Sequence, residues 1–457
     1  MRNSHRKQPG MLAGLAGLAL SGAAAADQAA AQGFLEDSHL DLLNRNFYFN
    51  RDLRHGARNN LGANAHKPLA ARNGYREEWA QGLMAYCRSG FTQGTLGVGL
   101  DAHALLGLRL DSGGGRTGTS LLPWDGEGHP ESDYAELGGA VKLRLSNSVL
   151  KYGQQLPNVP VFAVSQARLL PSTATGLSLS VDESSRVNLQ AGHFTAVSGV
   201  DSSNNDGEIT TDYGVLPAAR SVDFLGGTYK FSDDLGVSLY GAELEDIWRQ
   251  YYANARYRLA LTPAQTLTFN FNLYDTREHG AAKGGEIDNT SWSLSAVYKF
   301  GAHSLTLGHQ QIDGDEPLDW IGFDGTQGGA LSMGNVGQVV TFSEANERSW
   351  QLRYDLDMAP YGIPGLTFMS RYIRGDGMDN AASDNPFYTR HGSHVYDRSK
   401  DNKHWERNVE AAYVVQSGAA KDLLLRIRQS THRASSGYRY PDHDEVRLIV
   451  EYPLRVF

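Results

Sequence analysis

Over much of the chain, apolar and polar side chains alternate one for one. In QTLTFNFNLYD (265–275), Leu267, Phe269, Phe271 and Leu273 take one side, and Thr268, Asn270 and Asn272 take the other. In SWSLSAVYKF (291–300), Trp292, Leu294, Ala296, Tyr298 and Phe300 oppose Ser291, Ser293, Ser295 and Lys299. A period of two marks a β-strand whose faces meet different surroundings. The same pattern predicts strands at 40–49, 78–87, 140–149, 222–231, 235–244, 349–358, 366–375 and 445–454. Connections come in two kinds: tight ones at 231–234, 359–365 and 417–422, and long polar ones at 105–133, 197–220, 310–345 and 376–402.

Soluble β-sandwiches and propellers also alternate, so periodicity alone leaves them open. Here the apolar face is opposed, strand after strand, by Ser, Thr, Asn, Lys and Arg, and strand ends carry aromatics (Phe47, Tyr48 and Phe49; Tyr251 and Tyr252; Tyr298 and Phe300). Short turns alternating with long loops and aromatic strand ends are features of a transmembrane antiparallel β-barrel. No apolar run after residue 26 reaches the ~18 residues that a spanning helix needs. The fold class is therefore all-β, a single barrel over residues 27–457.

The N-terminus adds the address. Arg2, Arg6 and Lys7 precede the apolar run MLAGLAGLAL, and small residues follow, with an Ala-x-Ala cleavage pattern at Ala24–Ala26. This is the layout of a cleaved export signal, and residues 1–26 are set apart from the fold. The last strand, VRLIVEYPLRVF, places Leu448, Val450, Tyr452, Leu454 and Val456 on one face and ends at Phe457. A terminal aromatic of this kind is similar to the signal read by the outer-membrane insertion machinery.

Composition removes several classes. A formal net charge of −9 argues against a nucleic-acid partner, which needs an excess of Lys and Arg. The single Cys87 cannot form an internal disulfide and reads as a small apolar filler within a strand. His391–His394 and Asp442–Asp444 lack metal-ligand spacing, DSSNNDGE (201–208) departs from a calcium loop at Ser203, and Gly97 and Gly99 lack a nucleotide-binding βαβ context. No metal or other cofactor is implied. An outer-membrane hydrolase is the rival function, with His193 and Asp246 as triad candidates. Ala330 and Ser332 offer no convincing nucleophile for it, and no G-x-S-x-G elbow is present.

The candidate chemistry lies in KDLLLRIRQS (421–430), where Leu425 and Ile427 alternate with Arg426 and Arg428. An arginine facing lipid at mid-depth costs about 2–4 kcal/mol, so both arginines are expected to face the lumen. Arg447 on the last strand, with Arg45 and Arg51 on the first, could extend the row once barrel closure brings the chain ends together. A guanidinium holds its charge at any relevant pH and binds carboxylate with a planar fork. The same arginines could instead be paired with wall acids such as Glu410 and Glu451.

The segments GFLEDSHLDLLNRNFYFNRD (33–52), YDLDMAPYGIPGLTFMSRYIRG (354–375) and YVVQSGAAKDLLLRIRQSTHRA (413–434), with 90–113, 133–146, 239–254 and 445–453, resemble the OprD family of outer-membrane carboxylate channels. The similarity covers the mature chain and is nearest to the subgroup passing basic amino acids and carbapenems. It implies a barrel of roughly 18 strands, a third loop folded into the bore, and a ladder of basic residues leading carboxylates through it. Matched position by position, the ladder falls on Arg51, Arg426, Arg428 and Arg447, with Arg54 or Arg58 in a loop of variable length. The constricting loop matches LPNVPVFAVSQARLLPSTATG (156–176), with Arg168 at the narrowest point; Pro157, Pro160 and Pro171 would stiffen it. Two departures stand out: Ala412 replaces a ladder lysine, and Val336, Val339 and Thr341 occupy positions where basic-amino-acid channels carry Asp, Ser and Tyr. The expected partners are small carboxylate solutes (amino acids, short peptides, carbapenems), outer-membrane lipid and lipopolysaccharide, and the insertion machinery. The expected assembly is a monomer or a weak homotrimer.

Overall fold

The computed structural model describes residues 28–457 except 214–216, 325–328, 390–394 and 398. The predicted export signal and the His391–His394 segment lie outside the described residues. Eighteen antiparallel strands form one sheet, each paired with its neighbours in the chain. The first strand, His39–Leu53, pairs on one side with Tyr75–Arg88 and on the other with the last, His443–Arg455, so the sheet closes without an edge. The barrel strands run from 8 residues (Ser148–Gln155) to 16 (Leu96–Asp111), and a tilted strand of about 9–11 residues crosses a membrane. Among the described residues no helix is long and apolar enough to do so.

Chain direction alternates around the ring, so the turns at 231–234, 358–365 and 415–423 share one rim, and the loops at 112–132, 199–221, 314–347 and 377–402 share the other. One small sheet folds a long loop on itself, and another ties two long loops together. Asn158–Val159 pairs with Phe162–Ala163, and Ile209–Thr211 pairs with Ile321–Phe323.

The alternation settles which way each side chain points. Leu425, Ile427, Leu448, Phe269 and Leu294 are exposed on the outer wall, whereas Ser291, Ser293, Asn272 and Gln310 are buried in the bore. The first strand reverses this rule. Its inner face carries Leu43, Phe47 and Phe49, all buried, and its outer face carries Asn44, Asn46 and Asn50. The inward apolar side chains pack against Leu169 and Leu170 of the loop that enters the bore, along with Leu121 and Leu122. The outward amides satisfy one another: Asn46 Nδ2 donates to Gln81 Oε1 (3.0 Å) and Trp79 Nε1 to Asn46 Oδ1 (2.9 Å). A second apolar cluster fills the other side of the bore, where Phe162 of the same loop lies 5.1 Å from Phe194 and 5.6 Å from Phe323, centroid to centroid.

Three expectations change. Residues 140–149 are not one strand, because Ser146, at φ 53°, turns the chain between Asp133–Leu145 and Ser148–Gln155. Residues 105–111 continue the strand Leu96–Asp111 rather than opening a loop; Gly97, Gly99 and Gly107 on its inner face blur the alternation. Cys87 lies in a strand but exposed on the outer wall, not as interior filler.

Candidate functional site

Closure of the barrel brings the arginines of both chain ends into one inner sector. Arg428 pairs in register with Arg447 and with Glu410, Arg426 with Ala412, Arg51 with Glu445, and Arg45 with Glu451. From the long-loop rim inward the row reads Arg51, Arg447, Arg428, Arg426, Arg45. Each guanidinium has a carboxylate. Glu445 is shared by Arg51 and Arg447 (Nη2 to Oε2 2.7 Å), and Glu410 by Arg428 and Arg426 (3.5 Å); Glu451 holds Arg45 at 2.7 Å. The pairing with Glu410 and Glu451 considered from sequence is thus real, and it coexists with a row. Side-chain exposure separates the members: Arg428 28% and Arg51 17%, against 7% for Arg426, 5% for Arg45 and 3% for Arg447. Buried Arg426 Nε has no hydrogen-bond partner among the described residues.

Phe49 is the hub that sequence reading missed. Fully buried, its ring has the Cζ of Arg447 at 4.3 Å, of Arg51 at 5.6 Å and of Arg168 at 5.8 Å. An aromatic face attracts cations and so helps three like charges share one place. The readable signal was its position: an aromatic facing inward, two residues from Arg51.

The loop of residues 156–172 crosses the bore. At one end the carbonyl of Pro160 accepts from Tyr274 Oη (2.7 Å) on the eleventh barrel strand, Gln265–Glu278. At the other, Arg45 Nη1 on the first strand donates to the carbonyls of Arg168 (2.6 Å) and Leu169 (3.1 Å). The approach is close: a Cβ at Gly82 would meet Leu169 Cδ1 and O at 3.3 Å, so a larger residue there would press on the loop. Arg168 is buried, and its Nε donates to the carbonyl of Thr119 (2.9 Å) while Gln166 and Ala167 form the exposed tip. Burial first, then the charges of Arg447 and Arg51, push the Arg168 guanidinium pKa down. Arg168 is therefore part of the guanidinium cluster against the wall rather than a charge held out at the tip.

A second loop also turns inward. The carbonyl of Gln338 accepts from Arg447 Nη2 (3.1 Å) and that of Val336 from Arg371 Nη1 (2.8 Å). Glu406 accepts from the backbone N–H groups of Gln338 (2.5 Å), Val339 (3.2 Å) and Val340 (3.0 Å), fixing the turn. Val336, Val339 and Thr341 lie half-buried on this loop and supply no carboxylate. Across the bore from the ladder, beside the constricting loop, the wall carries amides and hydroxyls, with Arg256 further along the same face toward the short-turn rim. Asn254 Nδ2 donates to Asn270 Oδ1 and Asn272 Oδ1 (2.9 Å each), Tyr252 Oη to Asn272 Oδ1 (2.8 Å), and Asn272 Nδ2 to Ser293 Oγ (3.1 Å).

Several candidates stand apart from this sector. Arg54 pairs with Asp52 and Asp444, both at 2.7 Å, on the rim, and exposed Arg58 donates to the carbonyl of Arg72 (3.2 Å) within the first loop. Neither joins the row, because the chain has left the strand whose parity aims side chains inward. Ala412 does lie on the inner face, opposite Arg426, so a lysine at this position would face the bore. His193 points outward, Nδ1 2.7 Å from Asp223, and Asp246 pairs with Lys283 (2.8 Å) in a loop; they share no site. Asp444 pairs with Arg54 and Arg433, and His443 faces into the wall. Among the described residues no His, Cys, Asp and Glu group has metal-binding geometry.

Comparison with known proteins agrees with this architecture. The family described as outer membrane porin, OprD family, matches residues 32–456. Porin D of Pseudomonas aeruginosa is 47% identical over 449 residues, 97% of each chain. Porin-like protein GalP of Pseudomonas putida is 34% identical, covering 93% of this chain and 94% of its own. The crystal structure of Pseudomonas aeruginosa OprD superposes with a TM-score of 0.79 at 45% identity, covering 94% of this chain and 99% of that one. Pseudomonas aeruginosa OpdK, solved with vanillate, gives 0.79 at 35% identity, covering 93% and 100%.

Proposed function

Since the chain belongs to the OprD family of outer-membrane porins, we propose that it passes small water-soluble carboxylates by passive diffusion, amino acids, short peptides and carbapenems among them. The observation that carries this reading is the asymmetry of the bore at the constricting loop: a guanidinium row on one wall and amide and hydroxyl groups across from it. Within the row and its loop arginine, six guanidiniums (Arg51, Arg45, Arg168, Arg426, Arg428 and Arg447) are clustered about three glutamates, Glu410, Glu445 and Glu451. The excess attracts anions and lowers the barrier to entering a narrow, low-dielectric passage. No covalent step is needed, and each contact must be weak enough to release the solute. The vanillate bound in the OpdK crystals is itself a carboxylate, which favours this solute class.

The second loop argues against a strong preference for basic amino acids. Val336 and Val339 offer no anionic site for a solute's ammonium group, so selection rests on the carboxylate end. One chain supplies the ladder and both inward loops, so each barrel is a complete pore and a monomer suffices. The exposed terminal Phe457 is the element offered to the insertion machinery.

The test is a comparison of solutes in reconstituted vesicles and planar bilayers. Carboxylates should enter faster than amines or neutral sugars of equal size, and Arg426→Ala with Arg428→Ala should slow carboxylates more than sugars. Equal loss for both would remove the ladder from the mechanism, and equal wild-type rates for all three would remove carboxylate selectivity.

A further inference from the structure

The outer wall near the long-loop rim carries a ring of outward charges, and most of its cations are matched within the wall. His193 pairs with Asp223 (2.7 Å), Arg249 with Glu243 (2.9 Å), Arg277 with Asp275 (2.9 Å) and Asp288 (2.7 Å), and Arg116 with Glu77 (2.7 Å). One sector breaks the pattern. On the adjacent strands Arg348–Asp357, Leu366–Asp376 and Lys403–Val414, the outward positions toward the rim include the exposed cations Arg348, Arg374, Lys403 and Arg407, with Asp376 opposite Arg348 and Lys403 in register. Among the described residues no carboxylate lies within ion-pair distance of Arg348, Arg374 or Arg407. Arg407 reaches only Gln429 Oε1 (3.4 Å) and Thr431 Oγ1 (3.5 Å). Lys403 pairs with Asp401 (2.5 Å), and Asp376 is the other acid in the patch, leaving an excess of positive charge. The next outward cation, Arg433, is taken by Asp444 (2.9 Å).

Register brings these groups together. Arg374 sits between Trp350 and Trp405 on the neighbouring strands, and Arg348 and Arg407 are its diagonal neighbours, about 7–8 Å away. Trp350 is 64% exposed, and the Tyr372 and Trp405 rings lie 5.7 Å apart, an aromatic band of the kind found where apolar wall meets headgroups. Leu352 and Val409, both exposed, continue the wall toward the bilayer centre. Above the band a cavity of about 260 Å³ is lined by Arg374, Asp376, Lys400, Asp401 and Lys403. Cations at the rim and interleaved with an aromatic band, over an apolar wall, match a phosphorylated sugar headgroup on acyl chains. Arginine is the residue suited to phosphate, binding it through two parallel N–H donors.

We propose that Arg348, Arg374, Lys403 and Arg407 form a binding site for the phosphates of lipid A, the anchor of lipopolysaccharide in the outer leaflet. The site rests on the outer-membrane location and is independent of which solutes pass through the bore. Because the contacts are direct, binding there does not require divalent cations to bridge acid to phosphate.

The test uses the full mature protein in detergent, with native mass spectrometry reading retention of added bis-phosphorylated lipid A in the presence of a chelator. Dephosphorylated lipid A and inorganic phosphate serve as comparison probes. R374Q with R407Q should weaken lipid A retention roughly 30-fold, the loss of two basic contacts. R249Q with R277Q, on the paired side of the wall, should leave it unchanged, as should dephosphorylating the lipid in the R374Q and R407Q background. Heat-modifiable gel migration and single-channel conductance verify the fold; if R374Q with R407Q fails to assemble, R348Q with K403Q gives the same reading. Unchanged retention in the patch variant overturns the proposal. Equal loss in the control pair, retention abolished by the chelator, or equal binding of free phosphate would also overturn it.

Discussion

Arg45 offers the sharpest perturbation, because a single guanidinium both closes a wall ion pair and pins the loop that crosses the bore. Its Nε binds Glu451 (2.7 Å), and its Nη1 serves the carbonyls of Arg168 and Leu169, all in a buried setting. In Arg45→Met the loop loses one shared charged hydrogen bond, about 1.5–3 kcal/mol. It keeps the burial of Leu169 and Leu170, each about 1.5–3 kcal/mol. The loop therefore stays docked, but its release should become roughly 10- to 150-fold more frequent. Planar-bilayer recordings should show brief steps to higher conductance that are rare in the wild type. The orphaned Glu451 separately costs the barrel about 3–5 kcal/mol, which Glu451→Leu in the same chain should largely restore. The double variant should thus regain thermal stability while keeping the noisy current. Wild-type conductance and noise in Arg45→Met would refute the anchoring role.

Arg428, the most exposed rung, should dominate solute contact: Arg428→Ala slows carboxylate uptake more than Arg426→Ala, and the reverse order in vesicle assays would sink that ranking. Ala412→Lys adds a cation on the inner face opposite Arg426 and should shift the zero-current potential in a salt gradient toward greater anion selectivity; no shift would mean that position 412 lies off the solute's path. Asp319 is buried and Asp212 half-buried in the long loops. Burial, then the charge of Asp319, raises the Asp212 pKa to about 7, and burial raises that of Asp319 to about 6. Carboxyls with raised folded-state values hold protons better folded than unfolded, so their contribution is complete below the ordinary value of 3.8 and is lost as pH climbs through about 6 to 7. Amide exchange in residues 209–213 and 318–323, corrected for intrinsic rate, should be slower at about pH 5 than at about pH 8, and equal protection would contradict this.

The barrel was legible in the sequence because a period of two fixes the face of every strand residue regardless of what surrounds it. The same rule aimed Arg426, Arg428 and Arg447 inward, but it ends with the strand at Leu53 and so does not reach Arg54, which sits on the rim. Other features lay beyond local reading. The first strand carries phenylalanines inside and asparagines outside because a loop more than a hundred residues later fills the bore beside it. Glu445 partners Arg51 from 394 residues away, a contact made by closure alone. The buried pose of Arg168 depends on Phe49 and Thr119, which no spacing within the loop could announce.

The sharing of carboxylates explains how the row can be both charged and passable. Desolvating an isolated arginine is expensive, and a ladder of bare guanidiniums would hold an anion too long for it to leave. One glutamate between two arginines supports both in the wall yet leaves about half the positive charge unbalanced, so an entering carboxylate meets shallow sites instead of one deep one. Glu410 lies between Arg426 and Arg428 at the most exposed part of the row. Glu410→Gln preserves shape and one acceptor while removing the charge, so carboxylate binding there should tighten. Uptake should then saturate at lower solute concentration with a lower maximal rate, and solute-induced current blockades should lengthen. If the variant instead passes carboxylates faster at every concentration, the rungs are not deep enough for Glu410 to matter as a counter-charge, and its role is only to hold the wall together.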